Sequence, residues 1–125
     1  MEEQVEVVGR AFVDHYCNLF DNDRPSLSSL YHETSILTFE GQRMQGAEEI
    51  SSKLNALPFD QCRHVVSTVD SQPLLFNGSI IVFVSGSLQL SGEEHYLRFS
   101  QMFHLVPTPQ GSFYVQNDIF RLNYG

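Results

Sequence analysis

The stretch that decides the fold is Ser79–Gly125, SIIVFVSGSLQLSGEEHYLRFSQMFHLVPTPQGSFYVQNDIFRLNYG. It reads as three long strands that are apolar on both faces. In the first, Ile80, Val82, Val84, Leu88 and Leu90 share one face, while Ile81 and Phe83 stand on the other. In the second, Leu97, Phe99, Phe103 and Leu105 oppose Tyr96 and Met102; in the third, Tyr114, Phe120 and Leu122 oppose Phe113, Val115 and Ile119. A sheet with one wet face alternates apolar and polar residues cleanly, and these strands do not. Helices of the same chain cover one face. The other needs a further cover, and a second subunit is the expected one.

Upstream, Glu2 to Phe20 has the spacing of an amphipathic helix, with Val5, Val8, Phe12, Tyr16 and Leu19 in one stripe beside Ala11. Asp21-Asn22-Asp23 ends it, and Pro25 opens a short second helix with Leu27 and Leu30 inward. Thr34–Phe39 reads as a strand, Glu40-Gly41-Gln42 as a turn, and the segment around Met44 as a short partner strand. Gly46 breaks the chain before a third helix, Ala47–Leu57, which Pro58 stops. Gln61–Gln72 is a strand with Cys62, His64, Val66, Thr68 and Asp70 on one face and Arg63, Val65, Ser67 and Val69 on the other. Asn77-Gly78, Ser91–Glu94 and Pro107–Gly111 are the connections between the remaining strands. The layout is α+β, with helices on one face of an antiparallel sheet.

At 125 residues, 42% apolar and 18% charged, the chain is one domain with enough apolar mass for a core. Its net charge is −8, and its seven basic residues are dispersed singly, which argues against a nucleic-acid interface. Such a chain favours basic partners. No apolar run approaches the roughly 20 residues of a membrane span. The acidic start, Met-Glu-Glu-Gln, is unlike a secretory or transit peptide, so a cytosolic or nuclear location is expected. Cys17 and Cys62 read as reduced, buried thiols, and the five histidines show no metal-ligand spacing, so no metal is expected.

Candidate chemistry is sparse. Phe39-Glu40 ends a strand at a sheet rim, and Glu93-Glu94 caps a hairpin; solvated carboxylates and an edge aromatic are the bland readings. Asp118 lies in an otherwise apolar strand, where a carboxylate needs a partner; a hydrogen-bonded structural acid is favoured over a general base. His64 and His104 read as structural strand histidines.

Five strings bear on identity: Leu19-Phe20-Asp21-Asn22-Asp23-Arg24, Leu37-Thr38-Phe39-Glu40-Gly41, Leu57-Pro58-Phe59, Phe99-Ser100-Gln101-Met102-Phe103, and Asn117-Asp118-Ile119-Phe120-Arg121-Leu122. In this order and spacing the chain, from about Phe12 to Tyr124, resembles the nuclear transport factor 2 family, small carriers that import the GTPase Ran. The closing string looks most like plant and fungal members. The resemblance implies a cone-like α+β fold, with three helices on a strongly bent antiparallel sheet around an apolar cavity. It implies a homodimer joined through the outer sheet faces at Phe83, Met102 and Ile119.

The resemblance also implies partners. GDP-bound Ran would insert an aromatic side chain into a cavity lined by Leu57, Phe59, Leu97 and Phe120. Phe39, where animal members carry Trp, and the acids Glu40, Glu93 and Glu94 would form the rim; the hairpin here is one residue longer, at Gly92. Phenylalanine-glycine repeats of nucleoporins would bind a groove that includes Val5, again where animal members carry Trp. The implied protein is not an enzyme, has no cofactor, and works in cytoplasm and nucleus, concentrated at the nuclear envelope and pore. The alternative is a cavity enzyme of the ketosteroid isomerase or dehydratase type on the same fold, using Asp118 or His64 with Tyr16.

Overall fold

In the computed structural model, residues 2–59, 61–75, 77–90 and 96–123 are described. The order is helix α1 (Glu2–Asn22), a 3-10 helix (Arg24–Leu30), strands β1 (Tyr31–Phe39) and β2 (Gln42–Gln45), helix α2 (Ala47–Asn55), then β3 (Cys62–Pro73), β4 (Ile80–Leu90), β5 (Tyr96–Pro107) and β6 (Phe113–Leu122). The strands form one six-stranded sheet in the order β2-β1-β6-β5-β4-β3. It is curled but open, with β2 and β3 as its edges. None of its described helices is long and apolar enough to cross a membrane.

The sheet is mixed rather than antiparallel, a correction to the sequence reading. β1 lies parallel to β6, with Phe39 opposite Phe120 and Leu37 opposite Asp118. The chain leaves the β1–β2 hairpin through α2 and restarts at the far edge, so the β3–β6 meander returns to meet β1 in its own direction. Smaller differences are that β1 begins at Tyr31 and α2 ends at Asn55.

Alternation fails at two bulges, and they overturn two face assignments. In β3, Val66 faces Gly86 but Thr68 faces Ser85, which leaves Ser67 as an extra residue. An inserted residue reverses the side-chain parity beyond it. Val66 and Val69 therefore both pack on the core, while Thr68 and Asp70 are exposed. In β6, Asn117 pairs with His104 and Val115 with Leu105, so Gln116 is the extra residue. Val115 thus joins Phe120 in the core instead of Ile119 outside. Gly86 is required at the first bulge: a Cβ there would lie 2.4 Å from the Val65 carbonyl oxygen. Bulges bend the strands that carry them, which helps curl the sheet around its helices.

The inner face and the helices enclose an aromatic-rich core. Phe103 meets Phe12 and Tyr16 edge-on at 5.1 and 4.8 Å between ring centres. Edge-to-face pairs of this kind add about 0.5–1.5 kcal/mol to simple burial.

Candidate functional site

One end of the cone is built around the β1–β2 turn. Glu40 and Gly41 both have positive φ, 51° and 85°. A two-residue hairpin of this form needs positive φ at both central positions and favours Asn or Gly. Glu at the first position is strained by about 1–2 kcal/mol. Its carboxylate lies 3.7 Å from Arg121 and is largely shielded, and its backbone N–H donates to the Phe120 carbonyl. Phe39, placed by sequence at the rim, is only 7% exposed. Its ring stacks on Phe120 at 4.6 Å, and the Lys53 ammonium lies 5.6 Å from the Phe39 ring centre.

From there rings run in unbroken contact across the interior. Phe120 stacks on Phe99 at 5.6 Å, Phe99 meets His64 at 5.5 Å, and His64 meets Phe20 at 5.0 Å. Arg24 closes the run with its guanidinium 4.4 Å from the Phe20 ring centre. Leu57 and Phe59 line a cleft of about 190 Å³ together with Phe20, Asp21, Asn22, Arg24 and Asn55. Leu97 is half-buried against the same core. The four expected cavity residues are therefore all on the inner side of the cone, at differing depth. Glu93 and Glu94 lie outside the described residues.

At the lip of that cleft, Asp21 organises a polar cluster. Its Oδ2 accepts the His64 backbone N–H at 2.8 Å, and its Oδ1 lies 2.7 Å from His64 Nδ1 and 3.3 Å from Cys62 Sγ. Burial would raise the Asp21 pKa, but the hydrogen bonds and ion pairing from His64, with the Cys62 thiol, outweigh it and lower it. Burial, and then the Asp21 carboxylate, push the Cys62 thiol up to about 12. Arg24 reaches the carbonyls of Phe20, Leu54 and Phe59 and comes within 3.6 Å of Cys62 Sγ. Cys17, expected to be buried like Cys62, is partly buried against the core; burial and nearby Asp21 and Asp14 also push it up to about 12. Alternation along β3 puts Cys62 and His64 on one face, but Asp21 joins them only because α1 and β3 meet in the fold.

A second polar cluster is sealed in the core. Asp118, 0% exposed, accepts from Tyr31 Oη and Gln101 Nε2, each at 2.8 Å, and Tyr16 Oη lies 3.2 Å from Tyr31 Oη. Asp118 thus has the hydrogen-bond partners expected of a structural acid, supplied by Tyr31 and Gln101. Burial pushes it from 3.8 up to about 6, against the lowering effect of those bonds. Burial and the Asp118 charge raise both tyrosines well above their usual range. Tyr16 and Asp118, candidates for the enzyme alternative, are joined through Tyr31; His64 instead belongs with Asp21.

The outer face carries one apolar row. Phe83 pairs with Met102 and Met102 with Ile119, so the three lie side by side across β4, β5 and β6. Phe83 is 47% and Ile119 45% exposed. Val5 packs partly buried against the core, whereas Val7 on the same helix is exposed.

A curled open sheet folded over three helices, with an aromatic interior and an apolar outer row, defines the class: a cone-like α+β domain. Residues 8–122 match the nuclear transport factor 2 (NTF2) domain family. The chain is 62% identical over 119 residues to nuclear transport factor 2B of Arabidopsis thaliana, covering 95% of this chain and 94% of the relative. It is 57% identical to nuclear transport factor 2 of Oryza sativa subsp. japonica, covering 96% and 98%. The solved structure of nuclear transport factor 2 from Cryptosporidium parvum superposes with a TM-score of 0.91 at 39% identity, covering 98% of both chains. The chain belongs to the nuclear transport factor 2 domain family.

Proposed function

We propose that the chain is a non-enzymatic nucleocytoplasmic carrier that binds GDP-bound Ran, binds phenylalanine-glycine repeats of nucleoporins, and so imports Ran into the nucleus. It works as a homodimer, in cytoplasm and nucleus, concentrated at the envelope and pore. The observation that carries this reading is the 62% identity, over nearly the whole chain, to a relative named for nuclear transport. Three structural features support it. Phe39, Phe120, Leu57 and Phe59 supply apolar side chains for one inserted aromatic ring, and the cleft at Leu57 and Phe59 has a polar mouth of Asp21, Asn22, Arg24 and Asn55. Glu40 holds a strained conformation at that end of the cone, and strain of this kind is retained where a side chain has work to do. The row Phe83, Met102, Ile119 is a self-complementary patch suited to a two-fold interface.

In this mode the inserted ring sets the lifetime of the complex, and charge pairs at Glu40, with Glu93 and Glu94, set the association rate. Val5, packed against the core, would form part of the floor of the repeat groove.

Glu40→Lys is expected to abolish binding of GDP-bound Ran and leave the dimer intact. Titration against the purified GTPase measures the first and light scattering the second; unchanged affinity would sink the rim assignment. Glu40→Asn removes the same charge but suits the turn. It is expected to weaken binding while raising unfolding free energy by about 1 kcal/mol, read by denaturant titration.

The enzyme alternative draws on Asp118 or His64 with Tyr16, and Tyr16 is joined to Asp118 through Tyr31. Complete burial of Asp118 favours the structural reading of that cluster.

A further inference from the structure

The geometry points to a binding site for one borderline divalent cation of the zinc class, held by Asp21, Cys62 and His64 at the lip of the cone. The proposal does not rest on the transport reading, although Asp21 lines the same cleft as Leu57 and Phe59. One carboxylate oxygen, one sulfur and one imidazole nitrogen form a donor set that suits zinc. The three donor atoms lie within 4.8 Å of one another. Cys62 and His64 are two apart on β3, so strand geometry points both to one side. Asp21, in the last turn of α1, closes the third side.

Zinc–ligand bonds of about 2.0–2.3 Å place tetrahedral ligands roughly 3.3–3.7 Å apart. The Cys62–Asp21 separation, 3.3 Å, already meets that, and the His64–Asp21 separation must open from 2.7 Å by about half an ångström. The thiol of Cys62 and the ring nitrogen of His64 both converge on Asp21 Oδ1. A cation seated among them takes over the attraction that now holds the three together. Its binding exchanges the thiol proton for a metal–sulfur bond and the proton on His64 Nδ1 for a metal–nitrogen bond, with no change of oxidation state; the thiol proton leaves to solvent and the imidazole binds with its one proton on Nε2.

The surroundings fit this exchange. The His64 backbone N–H keeps hold of Asp21 Oδ2, so Oδ1 is free to turn to the metal without the carboxylate losing its anchor. Arg24, fixed by three carbonyls, approaches Cys62 Sγ at 3.6 Å and would donate to the thiolate as an outer-shell partner. The cleft of about 190 Å³ lined by Asp21 and Arg24 reaches the Asp21 side of the cluster, and a water from that side would be the fourth ligand.

The test uses the full reduced chain. Titration with cobalt(II) is expected to give a thiolate-to-cobalt charge-transfer band that saturates at one metal per chain. The band should vanish in Cys62→Ser and persist in Cys17→Ser. Zinc calorimetry in two buffers of different ionisation enthalpy should report proton release. In that assay Asp21→Asn and His64→Gln should each weaken zinc by more than the roughly 10- to 100-fold typical of outer-shell partners. No band in the wild-type chain overturns the proposal, whatever the variants do, as does a band that survives Cys62→Ser. Circular dichroism of each variant separates lost ligation from lost fold.

Discussion

Ile119 and its neighbours Asp118 and Phe120 divide the molecule. Asp118 and Phe120 are buried on the inner face, while Ile119 is 45% exposed on the outer one. Among the described residues the inner face is covered within the chain: its rings find rings, and the deep carboxylate of Asp118 finds a hydroxyl and an amide. The outer face has a row of large apolar side chains that no described residue covers. The difference teaches that apolarity on two faces of one strand reflects two separate demands. One is met by folding, and the other is left open to association.

Three measurements can break that contrast. The largest effect is expected inside: Phe103→Ala should cost about 3–5 kcal/mol in denaturant unfolding, since the ring is 1% exposed and wedged between Phe12 and Tyr16. Next comes the sealed carboxylate. Its folded pKa of about 6 lies above its ordinary 3.8, so the folded state holds the proton more tightly than the unfolded chain. The contribution of Asp118 to stability is therefore fully present below about pH 4 and lost as pH rises through about 6, by at most about 3 kcal/mol. Asp118→Asn should flatten that segment of the stability–pH curve, and an unaltered curve would refute the assignment. The smallest effect on subunit stability belongs outside. Ile119→Lys should change it by only about 0.5 kcal/mol while halving the mass seen by light scattering. A wild-type chain already at monomer mass would remove the reason for the outer row.

Much of this was legible in the residues. The helical stripe of α1, the Glu40-Gly41 turn and the dual apolarity of β4 to β6 are local patterns, and local patterns survive in a linear reading. Phe83, Met102 and Ile119 come from the family resemblance rather than from local pattern alone, and pairing aligns them in one row. The parity of Val115 and Val69 was misread because an extra residue in a strand leaves no mark in composition; it is defined only against the partner strand. Asp118 was recognised as needing a partner, but Tyr31 and Gln101 are 87 and 17 residues away.

The sequence by itself determined the element types, the α+β class and the existence of a second apolar face, because hydrophobic periodicity and turn chemistry act over a few residues. Tertiary structure alone decided that β1 runs parallel to β6, that two bulges redirect β3 and β6, and that Asp21, Cys62 and His64 meet. Those outcomes depend on contacts between distant segments, and such contacts come into being only when the sheet curls over its helices.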